Sequence, residues 1–130
     1  MAETQAQRDV MAAMDRLSRL LHDRDPAFVD EFADRDDVLL VGSEEGEIAR
    51  GREAIAALLR KLYARPVRLA WAFGPREVTV AGDIAWVFAD CEIVMQAPDS
   101  ETHTPYRLSG VLERIEGRWR WRFFHGAEPA

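Results

Sequence analysis

Three groups of residues have the types and spacing for proton-transfer chemistry. His125 follows Trp119, Trp121 and Phe123 at period two, so strand alternation aims its imidazole wherever those rings point, into an apolar interior or a pocket. An imidazole with an ordinary pKa near roughly 6.5 exchanges protons at neutral pH and is a candidate general base. Asp90 and Glu92 share the parity of Trp86 and Phe88, where an unpaired ionised carboxylate is costly to bury. Either acid could orient the second nitrogen of His125. Arg107, with Ser109 on its own face, offers a cationic fork and a hydroxyl that together suit a developing anion or pair with the acids. Each group also has a purely structural reading. The histidine can be a satisfied strand-end residue, the acids can lie solvated where a sheet flares, and the arginine can satisfy carbonyls or a surface acid.

The walls of such a site would be aromatic. Trp71, Trp86, Trp119 and Trp121 are the four tryptophans, each a flat apolar surface with one donor. Trp71 and Trp121 lie further from a hairpin turn and are assigned to the pocket, and Trp119 to the core. Glu92 and Ser109 complete the ligand-binding set beside the catalytic candidates His125, Asp90 and Arg107. Cys91 has the opposite parity to Asp90 and reads as a buried, inert thiol. Arg118, Arg120 and Arg122 read as the solvated side of the last strand.

These residues need elements to position them. Thr4 and Gln7 have the capping-box spacing, and Val10, Met14, Leu17 and Leu21 recur at helical period behind them. Asp25-Pro26 opens a second helix of two turns carrying Phe28, Val29 and Phe32. Val38 to Val41 and Glu47 to Arg50 form a short hairpin about the turn-like stretch Gly42 to Gly46. A third helix starts near Gly51 with Ile55, Leu58, Leu59, Leu62 and Tyr63 on one face and stops at Arg65-Pro66. The period then becomes two. A run from Val67 to Phe73 is interrupted at Gly74-Pro75 and resumes at Glu77 to Val80, followed by Ile84 to Gln96, His103 to Glu116 and the terminal strand after Gly117. The predicted order is ααββα followed by four strands, an α+β fold.

The strand from Ile84 is apolar on both faces, with Ile84, Trp86, Phe88 and Val94 against Ala85, Val87, Ala89, Ile93 and Met95. Helices can cover one face. For the other, the predicted cover is a second copy of the sheet, giving a homodimer.

Size and charge narrow the partners. The chain has 130 residues, enough for one domain with a substantial core, and a net charge of −6. That charge disfavours nucleic acid and anionic membranes, leaving small molecules or proteins. A single cysteine permits no internal disulfide and no thiol-based zinc site. With no export signal or apolar span in view, the expected compartment is cytoplasmic. No phosphate loop, metal-ligand spacing or nucleophile elbow is present, so no cofactor and no metal are expected.

Gly51-Arg52-Glu53-Ala54-Ile55 opening the third helix, Gly82-Asp83-Ile84-Ala85 at a hairpin, Arg107-x-Ser109-x-Val111, and Gly117-x-Trp119 followed by His125-x-Ala127 together resemble the SnoaL-like and ketosteroid-isomerase-like members of the nuclear-transport-factor-2-like superfamily. The resemblance covers residues 1–130 as a single domain. It implies a cone-like curved antiparallel sheet with three helices, a cystatin-like α+β arrangement, and a small-ligand pocket. Members include isomerases, polyketide cyclases, dehydratases, epoxide hydrolases and noncatalytic association domains, so two functional readings stand. One is a cofactor-free isomerase, cyclase or dehydratase acting on a small apolar molecule; the other is a noncatalytic ligand-binding or dimerisation domain. A ketosteroid-isomerase mechanism would use a phenol in the first helix. Tyr63 and Tyr106 are the only tyrosines, so this chain departs from that pattern.

Overall fold

The computed structural model describes residues 3–129. Helix α1 (Gln5–His22) begins at the expected capping box, in which Thr4 and Gln7 satisfy each other's backbone N–H groups. Its buried stripe, Val10, Ala13, Met14, Leu17 and Leu21, lies on the sheet. The second helix is a 3₁₀ helix, Pro26–Glu31, capped by Asp25. Strands β1 (Leu39–Val41) and β2 (Ile48–Arg50) form the short hairpin, and α2 (Gly51–Tyr63) follows directly. The remaining strands are β3 (Arg68–Ala72), β4 (Arg76–Ala81), β5 (Ile84–Ala97), β6 (Ser100–Ile115) and β7 (Arg118–Ala127).

All seven strands belong to one curved sheet of order β2-β1-β7-β6-β5-β3, with β4 also on β5. Two features differ from the sequence expectation. The interrupted run from Val67 becomes two strands, because Pro75 has no N–H for a ladder. Strand β3 then pairs with Glu92 to Gln96 of β5, and β4 pairs with Ile84 to Ala89. The sheet is also mixed: β1 runs parallel to β7, with Leu40 opposite Phe124.

The inner face carries Ala85, Val87, Ala89, Cys91, Tyr106, Leu108, Leu112, Trp119, Trp121 and Phe124, all buried. The outer face keeps Ile84 (37% exposed), Trp86 (49%) and Phe88 (38%) in contact with water.

A bulge divides β7. Val111 pairs with Phe123 but Leu112 pairs with Trp121, leaving Arg122 as an extra residue. Two residues on one strand against one on its partner reverse the side on which every later residue points. Trp119 and Trp121 therefore face inward together with Phe124 and Gly126, whereas Phe123 and His125 face outward. The aromatic row that was to carry the imidazole inward is broken two residues before it reaches His125. Gly110 accommodates the bulge, since a Cβ there would run into the Phe123 carbonyl oxygen and lie 2.6 Å from the Trp121 ring.

Candidate functional site

Between α2, the β1–β2 hairpin and the inner face of the sheet lies a cavity of ≈ 110 Å³. Its walls come from Ile55, Leu58, Leu59 and Leu62 of α2, Leu69 and Trp71 of β3, Ile93 and Met95 of β5, Tyr106 of β6 and Phe124 of β7. A cavity on the order of 150 Å³ accepts benzene, so as it stands this one suits a molecule no larger than a single ring and not a drug-sized one.

Most of the lining is apolar; Thr102 and Thr104 of β6 add hydroxyls, and the charged groups come from outside the sheet. The hairpin contributes Ser43, Glu44 and Glu47, the C-terminal segment contributes Glu128, and Arg65 follows α2. The hairpin folds Glu47 back on itself: its carboxylate accepts from the Glu44 N–H at 3.0 Å, and the Gly42 N–H donates to its carbonyl at 2.7 Å. Gly42 is required for this, because a Cβ there would collide with the Glu47 carboxylate. Partial burial raises the Glu47 pKa above the usual carboxylate value. The Glu44 N–H and the Arg65 guanidinium oppose the shift, and the charges of Glu44 and Glu128 add to it.

Tyr106 and Trp71 stand together on the inner wall, their rings 6.4 Å apart. Ser18 of α1 fixes Trp71 by accepting from its N–H at 2.9 Å and donating to its carbonyl at 3.2 Å. Gly126 makes room for the phenol, since a Cβ there would overlap the Tyr106 hydroxyl. Burial pushes the Tyr106 pKa far up, an effect that the nearby Trp71 indole and Ser43 hydroxyl oppose and the Glu47 charge reinforces. Trp71 Nε1 is left buried without an acceptor.

Of the residues singled out from sequence, Trp71 alone lines the cavity. Trp121 is fully buried core, packed against Phe32 and Phe124. Asp90, Glu92, Arg107, Ser109 and His125 lie on the outer face of the sheet. There Asp90 is opposite Arg107, and Ser109 is opposite both Phe88 and His125. The expectation that His125 and Arg107 project into the hollow is thus corrected by the bulge for the first and by strand parity for the second. His125 stacks on Phe123 and has no hydrogen-bond partner among the described residues, and Asp90 and Arg107 form no ion pair there. Glu92 instead meets His103 Nδ1 at 3.2 Å. Cys91 is buried and its pKa is pushed up to about 11, chiefly by desolvation, as an inert thiol requires.

The cavity-lining residues that sequence reasoning missed include Tyr106, Glu47, Ser43 and Glu128. Tyr106 had a signal, because it shares the parity of Leu108 and Leu112. The others lie on a turn and a strand terminus, where no periodicity applies. Among the described residues, no cluster of three His, Cys, Asp or Glu is arranged for a metal ion, and no helix is long and apolar enough to cross a membrane.

The family model described as the SnoaL-like domain matches residues 10–129. The chain belongs to the SnoaL-like family. Its fold is shared with solved structures at low identity. ActVI-ORFA from Streptomyces coelicolor superposes with a TM-score of 0.81 at 20% identity, covering 96% of this chain and 98% of that one. A candidate dehydratase of the NTF2-like family from Streptomyces avermitilis gives 0.84 at 16%, covering 96% of each chain. An NTF2-like protein with a cystatin-like fold from Novosphingobium aromaticivorans gives 0.75 at 23%, covering 95% and 82%. No curated protein matches the chain.

Proposed function

We propose that this SnoaL-like chain binds a small, largely apolar organic molecule in the inner cavity and moves a proton on it without a cofactor, as an isomerase, cyclase or dehydratase would. The observation that carries this reading is Glu47. It is a half-buried carboxylate on the wall of an apolar cavity, its pKa raised above the usual glutamate value by burial, the placement a general base needs. Tyr106 stays protonated and can donate to the oxygen on which charge builds. Glu47 thus takes the role first given to His125, and Tyr106 the role given to Arg107. The test is hydrogen–deuterium exchange at the α-carbon of small aryl ketones in D₂O, followed by NMR. The native protein should accelerate exchange, and Glu47→Gln should lose about 100-fold or more of that acceleration. Equal rates for the two proteins would exclude Glu47 as the proton carrier.

The outer face favours association as a second property. Ile84, Trp86 and Phe88 form an exposed apolar strip, and Asp90 and Arg107 beside it form no ion pair among the described residues. A face carrying both an unpaired acid and an unpaired base is self-complementary about a two-fold axis, so a second copy is the proposed occupant. A noncatalytic dimerisation domain needs this face alone. The exchange assay separates that alternative from the catalytic reading.

A further inference from the structure

We infer that association through the outer face is switched by pH and that His125 is the switch: two copies hold together while its imidazole is neutral and part when it takes a proton. This rests on the outer-face association proposed above and adds its regulation. The bulge in β7 that removes His125 from the cavity sets it in the middle of the surface a second copy would cover.

Strand register fixes what surrounds the imidazole. One row across the outer face runs Ile48, Val41, His125, Ser109 and Phe88, from β2 through β1, β7 and β6 to β5. The row beside it runs Leu39, Phe123, Val111 and Trp86. His125 is thus the titratable group within two otherwise uncharged and largely apolar rows. It stacks on Phe123 with ring centroids 6.2 Å apart and has no hydrogen-bond partner among the described residues. The charged groups lie at the margins. On β6, Arg107 stands two residues from Ser109 and opposite Asp90 of β5, while Glu113 is taken by Arg122 at 2.7 Å. Strand β2 adds Arg50 and β4 adds Glu77, at opposite ends of the rows. In the pairing proposed above, each copy's Asp90 meets the Arg107 of the other, which leaves no carboxylate beside a protonated His125. Covering the face strips water from the imidazole and disfavours its charged form, and the nearby guanidiniums act in the same direction. The separated chains therefore bind more protons than the pair, and acid favours separation. Net charge alone gives the opposite sign, because two chains of charge −6 repel and acid relieves that repulsion. His103 shares this face, but its ring nitrogens lie 2.7 Å from Glu101 and 3.2 Å from Glu92, and those bonds raise its pKa. Protonating it neutralises acids already beside it and gives no reason for the copies to part.

The test is the dimer dissociation constant of the full chain, measured by sedimentation velocity at pH 7.5 and pH 5.5, with circular dichroism at both values verifying that the fold is retained. The native constant should rise at least about tenfold at pH 5.5. His125→Gln should stay paired at both values without that rise, because its amide takes no proton, and His125→Phe repeats the measurement with a ring retained. His103→Gln should dissociate in acid as the native chain does. A rise that survives in His125→Gln and His125→Phe overturns the inference, as does a native constant that is unchanged or lower in acid; either result leaves the interface standing. A native chain that is monomeric at pH 7.5 removes the interface, and the inference with it.

Discussion

At the residue scale the account turns on carboxylates and phenols whose surroundings set their charge. Glu47 has a raised pKa in the folded chain because of burial and the neighbouring Glu44 and Glu128, against the pull of the Glu44 N–H and Arg65. A folded-state pKa above the unfolded value stabilises the protein below the ordinary glutamate range, and that stabilisation is lost as pH rises through the folded value. Glu47→Gln should therefore be more stable than the native chain at pH 8, with the advantage shrinking toward pH 4, as urea unfolding at the two pH values will show. A constant difference across that range would mean that Glu47 titrates normally. Cys91, with its pKa pushed up to about 11, should resist alkylation by iodoacetamide at pH 7.5 in the native state and react once unfolded. Sequence parity turned Cys91 to the interior, where it is buried, because it lies in a regular stretch of strand. It could not reach Glu47 or Ser43, whose orientation is set by a turn with no period to read.

At the element scale the decisive feature is the bulge in β7. Alternation from Trp119 through Trp121 is regular, and extrapolating it puts Phe123 and His125 inside; one extra residue, Arg122, puts them outside. A trace of this is visible in the sequence, because Phe123-Phe124 breaks the alternation and Gly110 falls on the facing strand. Arg122 holds the outer side of the bulge by donating to Glu113 at 2.7 Å and to Asp37 at 3.1 Å. Gly110→Ala forces a methyl group against the Phe123 carbonyl and the Trp121 ring, so it should destabilise the chain by about 1–3 kcal/mol, measured by urea unfolding. A change well below that would show that the bulge relaxes freely. The α-helices and the long strands were legible because their hydrophobic periods run for whole elements. The parallel pairing of β1 with β7 was not, because a three-residue strand has no pattern that names its partner.

At the scale of the whole molecule the sheet divides two roles. Its inner face closes a cavity with α2 and the hairpin, and its outer face is left partly apolar, with Asp90 opposite Arg107 beside the apolar strip. If the outer face is a dimer interface, Trp86→Glu should shift the mass in light scattering at micromolar concentration from dimer to monomer without changing ligand affinity. A native chain that is monomeric under those conditions would remove the interface. The central claim is that the ligand site is the inner cavity and not the outer-face cluster of His125, Arg107 and Asp90. The most direct test is the melting-temperature shift produced by saturating acetophenone in two variants: Ile93→Trp, which fills the cavity from its β5 wall, and His125→Ala, which alters only the outer face. The account predicts that the shift vanishes in Ile93→Trp and persists in His125→Ala; a shift that survives filling of the cavity and disappears with the imidazole would contradict it.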